Sequence, residues 1–147
     1  MDQFIACLAK ACITMSGIST LYTDNMPASF AVPSLYFPPF ESDLSGSALN
    51  NYQTDYSVYV KVFANTRQEA MELAENIVQG IMRLKCCLPV YNADGTESGD
   101  VLKTSPPAAR VIDEGVAQIT LRYRIIRKFA ETEVPLVKNF GINKYYD

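Results

Sequence analysis

Apolar and polar residues alternate most regularly between Tyr56 and Ala64. Tyr56, Val58, Val60, Val62 and Ala64 fall on one face of an extended chain, because side chains alternate with a period of two. At Asn65-Thr66 the period changes. Thr66-Arg67-Gln68-Glu69 is a capping box, in which the Thr66 hydroxyl accepts from the Glu69 amide and the Glu69 carboxylate reaches back to the Thr66 amide. Ala70, Leu73, Ala74, Ile77, Ile81 and Leu84 then recur at three- and four-residue intervals, the stripe of a helix lying on a surface. The pattern predicts a core strand followed by a helix packed back on the same sheet.

Residues 2–15 place Phe4, Ile5, Leu8, Cys12 and Met15 on one helical face, with Asp2 at the positive start and Ser16-Gly17 at the end. From Leu21 to Phe40 the chain reads as extended. Ser29–Val32 and Leu35–Phe37 are short strand-like pieces, separated by Pro33 and stopped by Pro38-Pro39, which suits a sheet edge or a bulge. Glu41–Asn51 is polar and rich in small residues, and it predicts a long loop, either functional or disordered in the free chain. Beyond the second helix, Asn92-Ala93-Asp94-Gly95 signals a turn. Residues 96–109 read as an irregular connection with one short strand near Val101-Leu102. Arg110 to Phe129 reads as a hairpin turning at Glu114-Gly115. Its second strand alternates Ala117, Ile119, Leu121, Tyr123 and Ile125 with Gln118, Thr120, Arg122 and Arg124, giving one apolar face and one polar, basic face.

Helix, extended pieces, strand, helix and hairpin, in that order, suit an α+β fold with two layers. A mainly antiparallel sheet would carry both helices on one face. The other face, with Tyr59, Lys61, Arg122 and Arg124, would be wet or covered by a partner. Residues 1–130 form a single domain on this reading, and residues 131–147, where periodicity is lost, form a C-terminal arm.

Composition narrows the chemistry. At 147 residues the chain is long enough for one domain that buries roughly two-thirds of its unfolded surface. The net charge of −3 gives no whole-molecule attraction to nucleic acid, so such a contact needs a local patch. There is no histidine, which removes the usual general base and the commonest metal ligand. The four cysteines form no CxxC; reduced thiols acting as plain apolar residues are the simple reading, in a cytoplasmic setting, with a redox role the alternative. No segment has the roughly 18 to 20 apolar residues of a membrane span. The N-terminus reads as a helix and not as a signal peptide, because Asp2 stands where a basic region is needed and Lys10 interrupts the apolar run. No phosphate-cradling glycine motif is present. Asp113-Glu114 resemble paired carboxylates, but a hairpin turn explains them more simply. No catalytic set and no cofactor or metal site can be assembled.

Two features remain. Arg122, Arg124, Arg127 and Lys128, with Lys61 on the neighbouring strand, either keep an exposed face solvated or meet phosphates or an acidic neighbour. Phe140, Ile142, Tyr145 and Tyr146 either fold back on their own domain or anchor an arm on another chain.

The layout resembles the small tail terminator (tail completion) proteins of tailed bacteriophages. The likeness runs through Tyr36-Phe37-Pro38, the junction Val60-Lys61-Val62-Phe63-Ala64-Asn65-Thr66 with Glu69-Ala70, the turn Asp113-Glu114-Gly115 and the strand Ile119-Thr120-Leu121-Arg122-Tyr123. It covers nearly the full chain as a pattern of elements. The resemblance implies a virion structural protein without enzymatic activity: a ring, typically a hexamer, that caps the tail tube and joins it to the head. Its partners would be copies of itself, the tail tube protein and a head-tail connector protein, with possible non-specific contact to passing DNA. Leu44, Leu49, Tyr52, Phe140, Ile142, Tyr145 and Tyr146 are then the expected subunit or tube contacts. Lys61, Arg122, Arg124, Arg127 and Lys128 would line a channel or an inter-subunit surface. Another neck, tube or baseplate component, or a small ligand-binding α+β module, are the competing readings.

Overall fold

The computed structural model describes residues 2–130. Ten elements follow one another: α1 (Gln3–Ser16), β1 (Leu21–Thr23), β2 (Ser34–Phe37), β3 (Glu41–Ser47), β4 (Asn51–Phe63), α2 (Arg67–Arg83), β5 (Cys87–Tyr91), β6 (Glu97–Lys103), β7 (Ala108–Asp113) and β8 (Val116–Lys128). The fold is α+β, as the pattern predicts.

The main sheet is built on the β4–β8 pair, which run antiparallel in unbroken register from Asn51 opposite Lys128 to Phe63 opposite Val116. Strand order is β1-β2-β4-β8-β7, and among the described strands only β1–β2 pair in parallel. β2 and β3 share one edge of β4. β2 takes its end, with Leu35 opposite Val62, and β3 takes its beginning, from Glu41 opposite Ser57 to Ser47 opposite Tyr52. β5 and β6 form a separate two-stranded sheet beside α1.

Alternation decides which side is buried. Val58, Val60 and Val62 of β4, with Ala117, Ile119 and Leu121 of β8, lie fully buried beneath both helices, against Leu8, Cys12, Ala70, Ala74, Ile77 and Ile81. Small residues let the helices sit close. A Cβ added at Gly80 of α2 would stand 2.6 Å from the Met15 side chain of α1. No described helix is long and apolar enough to cross a membrane.

The helix ends follow the sequence closely. Asp2 accepts from the Phe4 amide at 2.9 Å, and Gly17 closes α1 in the left-handed conformation (φ 72°). Thr66 Oγ1 accepts from the Glu69 amide at 3.1 Å, while the Glu69 carboxylate accepts from the Asn65 amide, one residue before the expected Thr66. The Asp113-Glu114-Gly115 segment is a turn, in which the Glu114 amide donates to the Asp113 carboxylate.

Three expectations are corrected. Glu41–Asn51 is not a loop: it is β3, a tight turn at 48–50 and the start of β4, whose true beginning is Asn51. All seven β3 residues are exposed, so neither face needs apolar side chains and the strand leaves no alternation to read. Residues 96–109 contain β6 and the start of β7; β6 buries only Leu102 and is equally silent in pattern. Ser29–Val32 makes no strand, and β1 lies instead at Leu21–Thr23.

Candidate functional site

The face of the main sheet away from the helices carries the polar half of the alternation. Its rows can be read across the strands: Tyr36–Lys61–Gln118, then Glu41–Ser57–Arg122, then Asp43–Asp55–Arg124. Phe30 packs against Phe63 with the rings tilted and their centroids 4.7 Å apart, covering one end of this face. The rest is open among the described residues.

The basic cluster divides into three environments. Arg124 donates through Nε and Nη2 to both carboxylate oxygens of Asp55, at 2.7 and 3.0 Å. That hydrogen-bonded pair holds the Asp55 carboxyl below its usual range and raises Arg124. Arg127 belongs by alternation to the helix side, with its guanidinium 5.7 Å from the centre of the Tyr56 ring. Arg122 and Lys128 are exposed, and Lys61 is half-buried between Tyr36 and Gln118. The five cations therefore do not form one continuous patch.

At the other end of β4 the sheet becomes a wing. β3 touches β4 and neither helix to any extent. Leu44 (74% exposed) lies on β3, and Leu49 (96% exposed) sits in the turn at its tip. Ile126 of β8 is 60% exposed. Tyr52 is half-buried against Phe129, with ring centroids 5.3 Å apart. By register Leu44 and Tyr52 lie on the helix side of the sheet and Ile126 on the opposite side, so the wing exposes apolar side chains on both faces. Phe140, Ile142, Tyr145 and Tyr146 lie outside the described residues.

Two clefts flank the outer edge of β8, where β7 has ended. One, about 480 Å³, is lined by Lys103, Thr104, Ser105, Arg122 and Arg124 among others. The second, about 630 Å³, includes Asp100, Val101 and Ile126. Sequence reasoning missed Glu41, Asp43, Asp55, Asp100 and Val101. Asp55 and Arg124 are far apart in the chain and meet only through strand register, so no local signal marks them.

Groups suited to bond chemistry are dispersed. Among the described residues no three of Asp, Glu and Cys gather as a metal site requires. All four thiols are free, and burial pushes Cys12 up to about 12. The open sheet face and the wing are suited to binding a macromolecular surface.

No protein-family model matches the chain. It is similar to the Phage-like element PBSX protein XkdJ of Bacillus subtilis (strain 168), with 27% identity over 123 residues that cover 84% of each protein. It is also similar to the uncharacterized protein YqbJ of the same organism, 32% identical over 94 residues, 64% of this chain and 65% of YqbJ. A chain of a solved structure, described as the virion of a native gene transfer agent particle, gives a TM-score of 0.46 at 15% identity, covering 84% of this chain and 93% of that one. The sequence likeness to XkdJ thus extends over most of both chains.

Proposed function

We propose that this chain is a structural protein of a phage-type particle, and within it a tail completion protein. In this role copies of the chain form a ring on the last layer of the tail tube and offer the surface to which the head is joined. The observation that carries the proposal is the likeness to XkdJ over 84% of both chains. The element order and an exposed wing with Leu44 and Leu49 support it.

The physics of the role is termination by closure. A head-to-tail contact that closes into a ring uses up both halves of its interface, so it adds one layer and stops. Catalysis has no place in that task. The chain works by shape and charge, with copies of itself, the tube protein and a head-side connector as partners, and the particle as its location.

Electron microscopy of particles carrying a label on this chain tests the reading. Label at the tube end, with tubes of uncontrolled length when the gene is deleted, is the expected result. Label along the tube wall, at the baseplate or only on the head overturns the tail-completion role. Particles that lack the chain altogether overturn the structural role.

A further inference from the structure

We propose that the acidic free edge of β3 in one copy inserts beside the basic outer edge of β8 in the next, extending the sheet from subunit to subunit. This deepens the ring reading and rests on it. Three independent features point to a second copy as the occupant.

The first is the pair of unused edges. Among the described residues β3 pairs only with β4, leaving one side of Glu41–Ser47 without a partner strand. On the opposite side of the same wing, β7 reaches β8 only as far as Thr120, and Thr104 bridges Tyr123. The Ser105 amide donates to the Arg122 carbonyl at 2.8 Å, so the Arg122 main chain points outward. By alternation the main-chain groups of Arg124, Ile126 and Lys128 point outward too. A monomer with two open edges on one sheet is a template for strand addition.

Charge supplies the second. β3 carries Glu41 and Asp43, whereas the clefts beside β8 carry Lys103 and Arg122, with Lys128 further along the strand. Arg124 is matched by Asp55 within the chain, and Asp100 is the carboxylate that opposes the remaining cations. The balance stays basic. Opposite signs on opposite edges favour a head-to-tail contact between copies and disfavour edge pairing of like with like.

Strand direction and register complete the match. β3 and β8 are both antiparallel to β4, so they run parallel to each other. A rotation about an axis along the strands preserves that direction, which makes the inter-subunit pair parallel and compatible with closure. By register Glu41 and Asp43 lie on the same face of the sheet as Arg122 and Lys128, so edge pairing would bring the opposite charges together on one face.

Sedimentation of the full chain, alone and with isolated tail tubes, gives the test when charges are reversed. E41K/D43K makes both edges basic, and K103E/R122E makes both acidic. Each variant alone should lose at least tenfold in assembly at low salt while keeping the native circular dichroism spectrum. An equal mixture of the two should recover assembly, because every contact again joins opposite signs; simple misfolding cannot give that recovery. Rings of native strength from either variant alone, or a mixture as weak as its parts, overturn the edge pairing and leave the ring reading standing. A native chain that stays monomeric even with tube ends overturns both.

Discussion

Arg124 and Asp55 face each other across β8 and β4, and the guanidinium holds both oxygens of the carboxylate. The pair lies on the open face of the sheet, next to Asp43 in the same row. Without Arg124, two carboxylates would stand directly opposite on adjacent strands, a destabilising arrangement. The ion pair is exposed and screened by water, so its contribution is small, and it is present at neutral pH and lost in acid.

Because the folded state holds the Asp55 carboxyl below its ordinary value of 3.8, the pair stabilises the fold above that value and stops doing so as pH falls through the lower, folded one. Asp55→Asn should therefore lower urea stability at about pH 7 by a small amount, and the difference from the parent should disappear in acid. It should also flatten the acid loss measured between about pH 4 and about pH 2. An acid limb of the same steepness in both proteins would contradict the role given to Arg124.

Glycine substitutions should separate a rigid clash from a yielding one. A Cβ on Gly115 would stand 2.6 Å from the Ala64 carbonyl oxygen, and the residue has a positive φ of 69°. The Gly115 carbonyl also accepts from the Ala64 amide at 2.9 Å, which ties the β7–β8 turn to the end of β4. Gly115→Ala should cost about 2 kcal/mol or more in chemical denaturation. At Gly80 the obstacle is the flexible Met15 side chain, and alanine brings about 1 kcal/mol of helix propensity. Gly80→Ala should stay within about 1 kcal/mol of the parent. Equal losses at the two sites would show that the Ala64 carbonyl can move as freely as Met15.

Tyr123 is stacked on Tyr56 with centroids 5.0 Å apart, and its buried hydroxyl has no hydrogen-bond partner among the described residues. Burial, first, raises its pKa, with Asp2 and Tyr56 adding smaller effects in the same direction. Tyr123→Phe keeps the stack and removes an unsatisfied polar atom. It should be neutral or stabilising by up to about 1–2 kcal/mol in thermal or urea melts. A clear loss would reveal a partner for the hydroxyl.

Thiol labelling should follow burial. Cys12 is fully buried with its pKa pushed up to about 12, whereas Cys87 is half-buried at the start of β5. Mass spectrometry after mild alkylation should find Cys87 modified first and Cys12 modified only when the chain unfolds. Early labelling of Cys12 would mean that α1 separates readily from the sheet.

The elements that bury a long face were legible in the sequence, whereas the short β5, which buries Leu88 and Val90, and the exposed β3 were not. β4, α2 and β8 each pair an apolar stripe with a polar one, and Thr66 and Gly115 mark their ends. β3 exposes every residue, so Ser42, Ser45 and Ser47 look like loop residues although their backbone is in the sheet. The basic cluster was visible as a run. Its division between Asp55, the Tyr56 ring and solvent depends on strand register, which no single stretch of sequence encodes. Leu44 and Leu49 were read as contact residues in a loop; the fold places Leu44 on β3 and Leu49 in the turn that follows it.

The unbroken β4–β8 ladder also has a mechanical meaning. The wing at one end of these strands and the helix-covered core at the other are parts of the same two strands. A load applied along the strands at the wing is shared by many rungs together, in shear, before any core side chain shifts. Force across the strands would instead open rungs singly from the tip. A subunit held by its wing should therefore resist tension along the ladder far better than peeling.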